Sequence, residues 1–298
     1  MDGKLNKSCL GSGIYCLDTI VVDGKVTLEE VGGTCGNVMC ILAHLGLDTY
    51  PQASLDESPE GFKIKADLER YGCDTRFVTN TPDGGTTLLR VTHRRNPDGT
   101  PKISVRAGSP GSRFPKHKFL RKRDEAPAFV QALTTAFVPD FYFFDDPAAG
   151  HRLIARELRS MGTTVYFEPA RIDGNPDLEC VALSDIVKFS GENIPDASFA
   201  DGFNDMLFIQ TCGGDGLRYK FRGGEWKTLP PVFNDHVVDT EGAGDWTTSA
   251  IIYGIARTGK RFTDLDENDL VQILSAAQHY ASESVAFMGP KGNIGADS

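Results

Sequence analysis

Apolar positions along this chain follow two rhythms, short continuous runs and stretches in which they recur every three or four residues. The first rhythm marks strands buried on both faces, and the second marks helices that bury one side. Cys9 to Leu17 is a continuous run and reads as a core strand. It leads into Thr19-Ile-Val-Val, Asp23-Gly24 and Val26-Thr-Leu-Glu-Glu, where Asp-Gly between β-prone runs predicts a hairpin, because both turn positions call for positive φ. Thr86 to Arg106 predicts a second hairpin around Asn96-Pro97-Asp98-Gly99. Between the two, Val38, Ile41, Leu42 and Leu45 sit at helical spacing from Gly33 to the capping Gly46. A second helix runs from Pro59 to Tyr71 and stops at Gly72, and a third starts at the acidic Asp124 and runs through Phe137.

From Asp140 the rhythms alternate: strand 141–144, helix 149–161, then strands 164–167, 186–189 and 206–211. A helix from about Gly242 and a long one over 265–287 close the chain. Strands alternating with amphipathic helices predict an α/β fold, a mostly parallel sheet covered on both faces. The two hairpins, about 18–31 and 86–107, are too short for a core of their own. A single domain over 1–298 with a small antiparallel β insertion is the economical reading.

Composition narrows the functional classes. A net charge of -10 argues against a nucleic-acid binder, which needs a broad basic surface. One segment departs from that balance: from Arg90 to Arg123 there are eleven Lys or Arg and one acid, Asp98. It is either a solvated face or a field that attracts an anionic substrate. The seven cysteines are scattered without a C-x-x-C pair, which suggests neither a disulfide framework nor a zinc site and fits a reducing cytoplasm. Asp18 breaks the N-terminal apolar run, so no signal peptide is expected there, and no stretch is long and apolar enough for a membrane helix.

The chemistry concentrates in Asp239-Thr-Glu-Gly-Ala-Gly-Asp245. Small residues at Gly242, Ala243 and Gly244 let a backbone approach a ligand closely. At the first turn of a helix their N–H groups are donors without intrahelical partners in the positive end of the dipole, an anion hole. Asp245 in that turn either complements the dipole or accepts the proton of an attacking hydroxyl.

This segment resembles the D-T-x-G-A-G-D signature of the ribokinase-like (PfkB) carbohydrate kinases. Val31-Gly-Gly-Thr-Cys-Gly-Asn-Val38 through Ala43-His-Leu-Gly46 is similar to the N-terminal G-G-x-x-x-N-x-A-x-x-L-x-x-L-G signature of that family, in the same order. Residues 61–75 look like its "helix, then G-V-D-T" element. Thr211-Cys-Gly-Gly-Asp-Gly216 is similar to its T-x-G-x-x-G nucleotide loop. The resemblance implies a three-layer αβα sandwich with a β lid, and an ATP- and Mg2+-dependent kinase acting on a small sugar or sugar acid of the fructose, ribose or 2-keto-3-deoxygluconate type.

It also implies residue roles. Asp245 matches the base and Gly242, Ala243 and Gly244 the anion hole. Asp18, Gly33 and Asn37 match positions that hold sugar hydroxyls, and Arg106 a substrate-directed arginine that is otherwise a solvent-facing lid residue. Lys188, Ser190, Thr211, Gly213 and Gly216 match the nucleotide side. Glu192 is the candidate for magnesium and Asp239 for a monovalent cation. A cytoplasmic homodimer paired through the lid is expected. The chain departs from the family pattern in two places: Ser190 and Asn193 stand where N-x-x-E is usual, and Trp246, read as core packing, follows the base. A nucleoside kinase of the same family, or a sugar- or nucleotide-binding regulator that has lost chemistry, remains the alternative.

Overall fold

A computed structural model describes residues 4–96, 101–105 and 125–294. Its centre is a nine-stranded sheet of β1 (Ser8–Ser12), β4 (Asp48–Leu55), β5 (Phe77–Asn80), β8 (Phe141–Phe144), β9 (Thr164–Phe167), β10 (Ile186–Ser190), β11 (Leu207–Thr211), β12 (Leu217–Phe221) and β13 (Lys227–Leu229). The spatial order is β13-β12-β11-β10-β9-β8-β1-β4-β5. Pairing is parallel from β5 through β11, and β12 turns back antiparallel.

The strands are apolar runs because both faces are covered. Cys9, Phe141, Phe143, Tyr166, Ile186, Leu207 and Ile209 point to one buried cluster. Their neighbours Leu10, Tyr142, Phe144, Val165, Val187 and Phe208 point to the other. The first cluster is completed by α1 (Thr34–His44), α2 (Pro59–Arg70), α6 (Ala243–Thr258) and α7 (Glu267–Ser284), and the second by α3 (Ala126–Ala136), α4 (Ala149–Ser160) and α5 (Asn175–Ala182). Period-two alternation across one sheet therefore generates the three layers.

β2 (Cys16–Val22), β3 (Lys25–Gly32), β6 (Thr87–Arg95) and β7 (Pro101–Val105) form a separate sheet in the order β3-β2-β6-β7. Each predicted hairpin is antiparallel, and β2 and β6 join them in parallel. The first turns at Asp23 and Gly24, with φ of 48° and 79°.

The run from Cys9 to Leu17 is not one strand. It divides into β1 of the large sheet and β2 of the small one. The break is at Gly13, where a Cβ would stand 1.9 Å from Asp145 Oδ1, and the same carboxylate takes the Ile14 N–H at 2.9 Å. An apolar run carries no mark of a carboxylate that arrives from residue 145. The pattern also carries no clear mark of β4, β5, α5 (Asn175–Ala182), β12 or β13. No helix among the described residues is long and apolar enough to cross a membrane.

Candidate active site

In an open parallel sheet, ligands sit beyond the carboxyl ends of the strands, near the point where chain direction across the sheet reverses. Here that point lies between β1 and β8, since β1 proceeds to β4 on one side and the chain returns to β8 on the other. Asp145, just past β8, straddles it. Its carboxylate accepts from Ile14 N at 2.9 Å and from Cys35 N, at the start of α1, at 3.1 Å.

α6 begins beside this point. Gly242 is its left-handed N-cap, with φ of 80°, and no side chain caps the helix. A Cβ at Gly242 would meet Pro290 Cα at 2.5 Å, so both backbone angle and space require glycine. From the first turn the Asp245 side chain enters the protein and accepts from Asn37 Nδ2 at 2.7 Å. Burial is the main force raising the Asp245 pKa, to about 7; Glu168 adds to it, and Asn37, Lys188 and Lys291 pull it back. A carboxyl with such a pKa is a competent base near neutrality.

The residues expected on the hydroxyl side gather at this end. Asp18 on β2 is buried and lies against Gly32, where a Cβ would come within 1.6 Å of Asp18 Oδ2. Its pKa is raised to about 6, first by burial and then by the charge of Glu241. Gly33 has φ of 80°, and a Cβ there would strike the Ile14 carbonyl oxygen at 2.6 Å. Arg106 and most of the basic segment lie outside the described residues.

On the other side of the α6 start is a cleft of about 1090 Å³. Its lining includes Lys188, Ser190, Glu192, Thr211, Gly213 and Gly216, together with Ala243 and Gly244. The predicted nucleotide-side residues thus share one cavity with the backbone of the predicted anion hole. Lys188 does not extend freely into it: its ammonium is 2.6 Å from Glu168 Oε1 and donates to the Gly244 carbonyl at 2.8 Å. Val232, Phe233, Val237, Ala281 and Val285 form an apolar part of the wall, with Phe233 81% exposed.

Asp239 is buried. Its Oδ1 takes Glu241 N at 3.0 Å and its Oδ2 takes Gly289 N at 2.8 Å. His93 of β6 brings Nδ1 to 3.4 Å from Asp239 and Nε2 to 3.1 Å from Glu241. Each ring nitrogen faces a different carboxylate, and one ligand atom from each of His93, Asp239 and Glu241 lies within 4.8 Å of the others, close enough for the three to share a cation. The hydrogen bond that the ring donates to Glu241, opposed by burial and helped by Asp239, raises the His93 pKa. Trp246 packs as read from the sequence: it stacks on Tyr280, and Nε1 donates to the Pro290 carbonyl at 2.8 Å.

Glu30, His93, Asp145, Glu168 and Lys291 were not singled out in the sequence, although each touches the site. Glu30, His93, Asp145 and Lys291 are distinguished by burial of an ionisable group and Glu168 by its ion pair with buried Lys188, features visible only once the chain is folded.

Residues 171–294 match the model of the pfkB family carbohydrate kinases. A curated relative, the ATP-dependent ribose-1-phosphate kinase of Halopiger xanaduensis, is 26% identical over 75% of this chain and 74% of its own. Among solved structures, the ATP-bound fructokinase of Xylella fastidiosa superposes with a TM-score of 0.73 at 18% identity, covering 96% of this chain and 94% of that one. The nucleoside kinase of Burkholderia thailandensis in complex with inosine does so with a TM-score of 0.69 at 16% identity, covering 95% and 92%. The chain has a ribokinase-like fold, its residues 171–294 are similar to the pfkB family carbohydrate kinases, and these comparisons indicate a phosphotransferase.

Proposed function

We propose that the protein transfers the γ-phosphate of ATP to a hydroxyl of a small sugar or sugar derivative, with Asp245 as general base. One observation carries this reading. Asp245 occupies the first turn of the helix whose Ala243 and Gly244 line the cleft, while its own carboxylate is turned away to Asn37. A phosphoryl group held on the cleft side and an acceptor held on the Asn37 side would meet at the α6 start.

ATP would lie in the cleft with its base against Phe233, Val232 and Val237 and its phosphates towards Gly213, Gly216 and the α6 amides. Those amides and the helix dipole stabilise charge on the transferring group, while Asp245 takes the hydroxyl proton as the new P–O bond forms and ADP departs. Asp18 would orient one hydroxyl by accepting from it, and the second Nδ2 hydrogen of Asn37, beyond the one given to Asp245, would be donated to a neighbouring hydroxyl. Glu192, on the cleft wall, is an oxygen donor that would suit magnesium, which would supply charge neutralisation at the phosphates. The small sheet would act as the lid that excludes competing water. Its edge strand β3 exposes Val26 and Leu28 on one face, a surface suited to pairing with a second copy.

The acceptor is tested by ADP release against a panel of ribose-1-phosphate, ribose, fructose, 2-keto-3-deoxygluconate and nucleosides. Turnover with a sugar or sugar phosphate is the expected result. Turnover confined to nucleosides would move the protein to the nucleoside-kinase alternative, and tight binding of one compound without ADP release would make it a regulator.

A further inference from the structure

The Asn37 amide has two faces, and the structure shows what fixes each. Nδ2 donates to Asp245 Oδ2 at 2.7 Å, and Oδ1 accepts from Lys291 Nζ at 2.7 Å. An ammonium has no acceptor, so Lys291 can only be met by the oxygen face of the amide. The nitrogen face is thereby committed to the base. Lys291 is in turn held by Glu30 Oε1 at 3.2 Å and lies 5.8 Å from the centre of the Tyr71 ring, whose hydroxyl donates to Glu30 Oε2 at 2.6 Å. The side chain is 1% exposed, so this ammonium is a built part of the interior.

We propose that Lys291 is the positioning residue of the active site: it locks the Asn37 amide so that a donor, never an acceptor, faces Asp245, and so keeps the base ionised and its other oxygen free for the hydroxyl proton. The proposal rests on the kinase reading given above. Without the lock the amide can turn its oxygen to Asp245, an arrangement that favours the protonated and inactive acid.

The charged surroundings are consistent with this. Facing Asp245 are Glu168 beyond β9, Lys188 on β10, Asn37 on α1 and Lys291, and the two lysines favour its ionised form. Around Lys291 stand Glu30 on β3, Asp18 on β2, Cys40 on α1 and Tyr71 beyond α2. Burial works against the ammonium, but Glu30, Cys40 and Asp18 outweigh it and raise its pKa, so it stays charged throughout the working range.

The test uses Lys291→Met, with Lys291→Gln as a second variant that keeps a donor for Asn37 but removes the charge, and Lys291→Arg as the charge-retaining control. Two readouts are needed: the acid limb of kcat/KM for sugar phosphorylation, and the titration of the Asp245 carboxyl by 13C NMR, assigned by its loss in Asp245→Asn. Lys291→Met should move both upward by about one pH unit, so that the rate at pH 6 falls about tenfold more than the rate at pH 9. Lys291→Gln should move them the same way by less, and Lys291→Arg should restore the limb. An acid limb and a carboxyl titration unmoved in a folded neutral variant would overturn the proposal, whereas a uniform loss at every pH would reduce Lys291 to a structural residue. If the wild-type protein phosphorylated no acceptor, the kinase reading would fall, and the carboxyl titration would still decide the role of Lys291.

Discussion

At the scale of the residue, the candidate site is a set of buried ionisable groups whose protonation is shifted by burial and by one another. Asp245 is the clearest case. Its pKa in the fold is raised to about 7 from an ordinary value of 3.8, mainly by burial. Between these values the unfolded chain has released its proton and the folded one has not, so stability falls as pH rises from about 4 to about 7 and is constant above. Asp245→Asn removes this effect. The variant should match the wild type in stability near pH 4 and exceed it increasingly up to pH 7, by at most about 4 kcal/mol, as read from urea unfolding across pH. A wild type as stable as the variant at pH 8 would mean that the carboxylate is better solvated than its burial implies. The Gly-Ala-Gly-Asp motif stands out in the sequence because its parts are adjacent in the chain, whereas Asn37 is marked only by its place in the family-like signature, its partners Asp245 and Lys291 lying 208 and 254 positions away. Lys291, Glu168 and Asp145 are not marked there, since what marks them is a partner far away, such as Asn37, which is 254 positions from Lys291.

At the scale of the element, α6 carries the site and glycine sets its start. Gly242 combines a left-handed backbone with a wall, the Pro290 Cα, at 2.5 Å from where a Cβ would be. Gly242→Ala should cost about 2–4 kcal/mol and impair turnover, because relief requires shifting either the first turn or the Pro290-Lys291 segment that positions Asn37. Thermal unfolding and kcat measured together check this, and an alanine variant of wild-type stability would show that the turn has slack. Among the elements, those with strong periodicity were readable: α1, α2, α4 and both hairpins lie close to where the pattern places them. Strand β4 was missed because Asp48-Thr-Tyr-Pro-Gln-Ala-Ser-Leu55 is half polar; its Thr49 and Gln52 are buried, and Gln52 accepts from Ser12 Oγ at 2.8 Å. The boundary between β1 and β2 was missed for the reason given by Asp145, a long-range contact at an apolar stretch.

At the scale of the whole molecule, two sheets meet through charge as well as through packing. His93 ties β6 to Asp239 and Glu241 just ahead of α6, and Glu30 on β3 holds Lys291. Movement of the small sheet would thus be felt at the base. The same sheet offers the surface proposed for pairing: a dimer through β3 predicts twice the chain mass by light scattering, and Val26→Lys with Leu28→Lys should give a monomer. A wild-type monomer at micromolar concentration would remove the lid pairing and leave the rest standing.

The assignment of Asp245 as the base in phosphoryl transfer is the claim on which the others depend. Asp245→Asn keeps the side-chain volume and can still accept from Asn37 Nδ2 through its carbonyl, so nucleotide and sugar binding should survive. The direct measurement is ADP release by wild type and Asp245→Asn with the best acceptor, alongside calorimetric binding of an ATP analogue to both. Loss of turnover by about a thousandfold or more with binding retained is the expected outcome. An Asp245→Asn variant that phosphorylates at the wild-type rate would contradict it.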